Sequence, residues 1–130
     1  MAKILVVDDD GMMRELVALH LAIAGYNVET AVDGIAGGES VRRERPALII
    51  ADVNMPRQNG FEFVAGLRDD VAVRDIPVIF LTANAEGQVR GMELGAVAYL
   101  SKPLIAQDLL SLVSSNMPRR SPKASGAAQT

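Results

Sequence analysis

At 130 residues the chain is one domain's worth, since domains run roughly 100 to 200 residues, and its 49% hydrophobic and 22% charged residues suit a globular chain without a membrane span or a cleaved leader, expected in the cytoplasm. The absence of cysteine excludes disulfides, thiolate nucleophiles and thiolate-bound zinc, and a lone His20, read as structural, leaves no histidine pair, so any metal must be held by oxygen. The net charge is −3, but Arg119, Arg120 and Lys123 lie near the C-terminus, so residues 1–117 carry 10 basic against 16 acidic groups and lack the basic face that nucleic acid requires.

Residues 3–7 (Lys-Ile-Leu-Val-Val) form a β-branched apolar run that stops at Asp8, Asp9 and Asp10, the pattern of a buried parallel strand. From Gly11 to Ala24 apolar residues recur at helical spacing, Met12, Leu16, Leu19 and Ile23 beside Met13, Val17 and Ala24, and Gly25 closes the helix. Asn27 to Ala31 reads as a strand. Gly34 to about Arg43 reads as a helix that ends before Pro46, although Gly37 and Gly38 weaken it. Residues 47–51 (Ala-Leu-Ile-Ile-Ala) repeat the first pattern and end at Asp52.

After a loop from Val53 to Asn59, a third helix is predicted over Phe61 to about Asp69. Pro77 opens a strand over Val78–Leu81 that stops at Thr82, a fourth helix covers Glu86–Leu94 and ends at Gly95, and a fifth strand covers Val97–Leu100. Ser101, Lys102 and Pro103 follow, then a last helix over about Ala106–Ser115. Strands alternating with helices imply right-handed β-α-β units and a parallel sheet covered on both faces. The expectation is an α/β, flavodoxin-like, doubly wound sheet of five strands in the order 2-1-3-4-5 with five helices. The domain spans 1–117, and the Ser-, Pro-, Ala- and Gly-rich tail over 118–130 is expected to be disordered.

In such sheets the site lies beyond the carboxyl ends of the strands, which brings Asp8, Asp9, Asp52, Thr82 and Lys102 to one rim. Clustered carboxylates raise one another's pKa unless a cation neutralises them, and Mg²⁺, a hard ion bound by a few carboxylates and waters, leaves room for a phosphoryl group. Lys102 and the Thr82 hydroxyl add contacts for phosphoryl oxygens, so the set is suited to accepting phosphate on a carboxylate.

These residues, together with the run Asp52-Val53-Asn54-Met55-Pro56, Gly60, Thr82-Ala83 and Lys102-Pro103, resemble the receiver domain of bacterial response regulators over about residues 2–116. The strand order is itself the one a chemotaxis member of that family has, so it adds no separate support. The resemblance implies that Asp52 takes a phosphoryl group from a histidine kinase or a histidine phosphotransfer protein. It implies Mg²⁺ held by Asp9 directly, by Asp8 partly through water, and by Asp52 and the Asn54 backbone carbonyl. Lys102 pairs with the phosphoryl oxygens, Thr82 and Tyr99 act as the switch, and Asn54 and Asn84 tune the dephosphorylation rate. The output is a protein-binding surface on helix four, strand five and helix five, read by a downstream protein target.

The resemblance implies a stand-alone switch rather than an enzyme with a turnover substrate, a monomer or weak homodimer. Each residue alone has a structural reading: Asp8 and Asp9 as capping acids of the first helix, Asp52 as a turn residue, Thr82 as a strand-end hydroxyl, Lys102 as a solvated cation and Tyr99 as packing. Asp10 is read only as a cap. Taken together, those readings require four unrelated coincidences. Two alternatives stand beside the receiver reading. Residues 8–11 (Asp-Asp-Asp-Gly) resemble the start of haloacid-dehalogenase-like phosphatases, with Asp8 as nucleophile, but only Asp108 follows Lys102 to complete that metal site. The other is a receiver-like binding module that does not use phosphate.

Overall fold

All five residues of the first strand are buried, which requires layers on both of its faces, and the fold supplies them. The computed structural model describes residues 3–55, 58–82 and 88–117. In chain order the elements are β1 (Lys3–Val7), α1 (Gly11–Ile23), β2 (Asn27–Ala31), α2 (Gly34–Arg43), β3 (Leu48–Ala51), α3 (Gly60–Arg68), β4 (Val78–Thr82), α4 (Gln88–Glu93), β5 (Ala98–Ser101) and α5 (Ala106–Asn116). The strands are parallel in the order β2-β1-β3-β4-β5, the predicted doubly wound, flavodoxin-like arrangement. The predicted start of the fourth helix at Glu86 and the tail over 118–130 lie outside the described residues.

Side chains alternate across a strand, and the core divides accordingly. Ile4, Val6, Leu48, Ile50, Ile79 and Leu81 face Val17 and Leu21 of α1 and Leu109 and Val113 of α5. Leu5, Val7, Ile49, Ala51, Val78 and Phe80 face Val41 of α2 and Phe63, Val64 and Leu67 of α3. Burying one such Leu, Ile or Phe contributes roughly 1.5–3 kcal/mol, so three central strands buried on both faces dominate the stability and fix the register that places the site.

The orientation of α1 departs from the sequence reading. Its buried residues are Val17 and Leu21, whereas Met12, Leu16, Leu19 and Ile23 are 85%, 41%, 55% and 75% exposed. Apolar residues occur on more than one side of this helix, so periodicity alone could not say which side meets the sheet. Asp10 caps α1 by accepting from the N–H groups of Met12 and Met13. Gly25, at φ 100°, takes the left-handed conformation that ends it. Helix α3 starts one residue earlier than predicted, because Asn59 and Glu62 form a capping box. At the amino end of the sheet, away from the strand ends that carry the aspartates, buried Lys3 bonds Glu29 at 2.6 Å and Glu44 at 3.0 Å, and Glu29 also pairs with Arg43.

Candidate functional site

Strand register assembles the site. Val7 pairs with Ala51 and Ala51 with Phe80, so the residues that follow β1 and β3 emerge side by side. The Asp52 N–H continues the ladder by donating to the Val7 carbonyl at 3.0 Å, and the Lys102 N–H donates to the Thr82 carbonyl at 2.8 Å. Asp8, Asp9 and Asp52 each offer a carboxylate oxygen within 4.8 Å of the others, the first and last buried and Asp9 exposed.

The Lys102 side chain, 16% exposed, reaches into this cluster. Its Nζ lies 3.5 Å from Asp8 Oδ2 and 3.5 Å from Asp52 Oδ2. Asp8 Oδ1 accepts from the Asp10 N–H at 2.9 Å, and Asp52 Oδ1 accepts from the Asn54 N–H at 3.3 Å. Burial pushes the Asp8 carboxyl up to about 6, and the charge of Asp52 adds to the rise, while the Asp10 amide and Lys102 oppose it. Thr82 is fully buried, and Asn54 Nδ2 donates to its Oγ1 at 3.4 Å. Tyr99 is half-buried, its ring tilted 52° to Phe80 with centroids 6.1 Å apart. Asn84 and Pro56 lie outside the described residues.

The cluster fits a hard cation. Its donors are carboxylate oxygens alone, and a buried acid raised toward neutrality beside a second carboxylate is the arrangement a divalent ion relieves. Cationic Lys102, at equal distance from both buried carboxylates, performs part of that neutralisation.

The family model described as the response regulator receiver domain matches residues 4–114. The chain belongs to this family. The receiver domain is 38% identical to the Vibrio cholerae chemotaxis protein CheY4, with a TM-score of 0.84, over 90% of this chain and 99% of that one. A putative response regulator from Chloroflexus aurantiacus superposes with a TM-score of 0.86 at 30% identity, over 91% and 98% of the two chains. Among curated relatives, the DNA-binding dual master transcriptional regulator RpaA of Synechocystis is 39% identical over 115 residues, 87% of this chain and 48% of its own length. Response regulator MprA of Mycobacterium leprae is 38% identical over 122 residues, 92% and 53% of the two chains. The receiver domain thus spans about half the length of these relatives. It is a two-component signalling module, and nothing in these matches supports the phosphatase alternative. No helix among the described residues is long and apolar enough to cross a membrane.

One contact escaped the sequence reading, and one residue that the reading quoted has a physical reason the sequence did not show. Gly60 was quoted in the family motif without a reason; a Cβ there would sit 2.2 Å from the Asp52 carbonyl oxygen, so a bare α-carbon lets α3 start against the loop that follows Asp52. Arg14 donates from Nη1 to the Asp8 carbonyl oxygen at 2.9 Å, and it carried no signal because a backbone carbonyl leaves no mark on a sequence.

Proposed function

We propose that this receiver domain accepts a phosphoryl group on Asp52 from the phosphohistidine of a histidine kinase or phosphotransfer protein. What supports the reading most directly is the convergence of the Asp8, Asp9 and Asp52 carboxylates with the Lys102 ammonium at one rim of the sheet. An Asp52 carboxylate oxygen attacks phosphorus in line with the phosphorus–nitrogen bond. That bond breaks and its electron pair returns to the imidazole nitrogen; the donor's other ring nitrogen carries a proton, so neutral histidine leaves and an acyl phosphate remains on Asp52.

The residues that would hold Mg²⁺ are Asp8, Asp9, Asp52 and the Asn54 backbone carbonyl. When bound, the ion supplies charge neutralisation for the phosphoryl oxygens. Lys102 holds the two buried carboxylates before transfer and then exchanges that contact for a phosphoryl oxygen. The Thr82 hydroxyl turns from Asn54 toward the phosphate. Its withdrawal changes the packing beside Phe80, and Tyr99 follows, altering the surface of α4, β5 and α5, where Val89, Met92 and Val97 are exposed. A downstream protein reads that surface, and phosphate drives the change only by binding one arrangement better than the other. Asn54 and Asn84, flanking the acceptor and the switch hydroxyl in sequence, set the lifetime of the acyl phosphate. The domain is a phosphoacceptor switch in a cytoplasmic pathway, acting as a monomer or weak homodimer.

The test is intact mass after incubation with acetyl phosphate and Mg²⁺, followed by borohydride trapping and peptide mapping. One phosphoryl group on Asp52, absent in Asp52→Asn, is expected. Modification at Asp8, or none, would refute the assignment.

A further inference from the structure

We infer that Arg14 is a positioning residue for Asp9, acting through the peptide that joins Asp8 to Asp9. This rests on the Mg²⁺ site proposed above.

The two buried carboxylates are each held by direct contacts: Asp8 by the Asp10 amide and Lys102, Asp52 by the Asn54 amide and Lys102. Asp9 is different. It is exposed, and among the described residues no hydrogen bond or ion pair holds its carboxylate, although its oxygen lies within 4.8 Å of those of its two partners. An unrestrained surface carboxylate samples several rotamers, and ordering it on a cation costs conformational entropy. The backbone beneath it is therefore what decides how much of that cost remains.

That backbone is braced from α1. Arg14, one turn into the helix and half-buried, donates from Nη1 to the Asp8 carbonyl oxygen at 2.9 Å. Its guanidinium folds back across Gly11, where an added Cβ would meet the other terminal nitrogen at 3.5 Å. A peptide unit is planar from the α-carbon of one residue to that of the next. Holding the Asp8 carbonyl oxygen therefore holds the plane on which the Asp9 α-carbon sits, and with it the direction in which the Asp9 side chain leaves the turn. The Asp10 side chain secures the following turn by capping α1, so the segment is fixed on both sides of Asp9.

Arg14 also carries a positive charge beside a cation site, which by itself would weaken Mg²⁺ binding. The two effects have opposite signs, which makes the assignment testable. If Arg14 aims Asp9, Arg14→Met weakens Mg²⁺ binding despite removing a like charge. If charge is all that matters, the same variant binds Mg²⁺ more tightly.

The experiment titrates Mg²⁺ alone into the wild-type chain, Arg14→Met, Arg14→Lys, Asp9→Asn and the Arg14→Met/Asp9→Asn double variant, followed by amide NMR shifts. The expected result is a roughly tenfold loss of affinity in Arg14→Met, at the lower end of what losing a partner behind a metal ligand costs. Arg14→Lys, which keeps a donor, recovers part of it. In the Asp9→Asn background Arg14→Met adds no further loss, because the residue it acts through is already disabled. Unchanged or tighter binding in Arg14→Met, or an equal additional loss in the Asp9→Asn background, would overturn the inference. If Asp9→Asn itself leaves Mg²⁺ affinity unchanged, the metal site reading fails instead, and this inference with it. Where Arg14→Met does not fold, Arg14→Leu, which likewise has no donor, carries the same cycle.

Discussion

Replacing Asp8 by Asn should make this protein more stable, because the site holds a buried acid that the fold does not favour in its charged form. Asp8 is 3% exposed, and its pKa rises from 3.8 to about 6, first through burial and then through the charge of Asp52. Folded Asp8 thus binds its proton more tightly than the unfolded chain does. Below about pH 4 both states are protonated and the group contributes nothing to the balance. As pH rises from about 4 toward 6 the unfolded chain loses the proton first and the native state falls behind, and above about 6 the full cost is present.

Roughly two pK units at 1.36 kcal/mol each make that cost about 3 kcal/mol at neutral pH. Asparagine keeps an oxygen for the Asp10 amide while removing the charge, so Asp8→Asn should gain up to about 3 kcal/mol at pH 7 and almost nothing near pH 4. Urea unfolding followed by far-ultraviolet circular dichroism, with a chelator present, measures the difference at both pH values. Comparing variant with wild type at each pH cancels the carboxylates whose pKa values are lowered, such as Glu29, Asp70 and Asp75. A gain that is equal at both pH values, or a loss of stability at pH 7, would refute the reasoning. Saturating Mg²⁺ should narrow the gap, since ligand that binds the native state stabilises the wild-type chain, which keeps the full donor set.

Other outcomes follow from the same geometry. Lys102→Ala should raise the Asp8 pKa above about 6, because the lysine's charge and hydrogen bond hold it down; carbon NMR titration of the carboxyl reads this directly. Thr82→Ala should still take label from acetyl phosphate while its affinity for a binding partner no longer responds to phosphorylation; a wild-type response would remove Thr82 from the switch. Gly60→Ala should destabilise by about 1–3 kcal/mol, the usual range for overpacking, and slow phosphorylation of Asp52, since the new methyl must displace the Asp52 carbonyl. Gly91→Ala should broaden or shift the Tyr99 ring resonances, because the added Cβ would approach that ring to 3.0 Å and Phe80 to 3.1 Å.

Most of the architecture was legible because strands buried on both faces leave continuous apolar runs, and each run here ends abruptly at a residue that belongs to the rim. Asp8, Asp52 and Thr82 were found in that way, from where hydrophobicity stops. The side of α1 that packs was not legible, since Leu21 was absent from the periodic set and Met12, Leu16, Leu19 and Ile23 satisfied helical spacing while pointing to solvent. Periodicity reports that a stripe exists and is silent on whether a sheet lies under it. The capping box at Asn59 and Glu62 was not read from the sequence, and it moves the start of α3 by one residue. Gly60 and Arg14 act on backbone atoms, and neither contact leaves a side-chain partner for a sequence to disclose.

The strand-end placement of the chemistry has a consequence for redesign. Asp8, Asp52, Thr82 and Lys102 leave from, or immediately follow, β1, β3, β4 and β5, and their spacing is set by strand register. The solvent faces of α1, α3 and α5 take no part in that register. They can be rewritten to change what the domain touches while these four side chains keep their separations, provided Arg14 and the capping residues at the helix starts are spared. A library confined to the outer faces of α1 and α3 would therefore vary the surface of this fold while leaving the strand-end cluster, and the α4, β5 and α5 surface of the proposed switch, untouched.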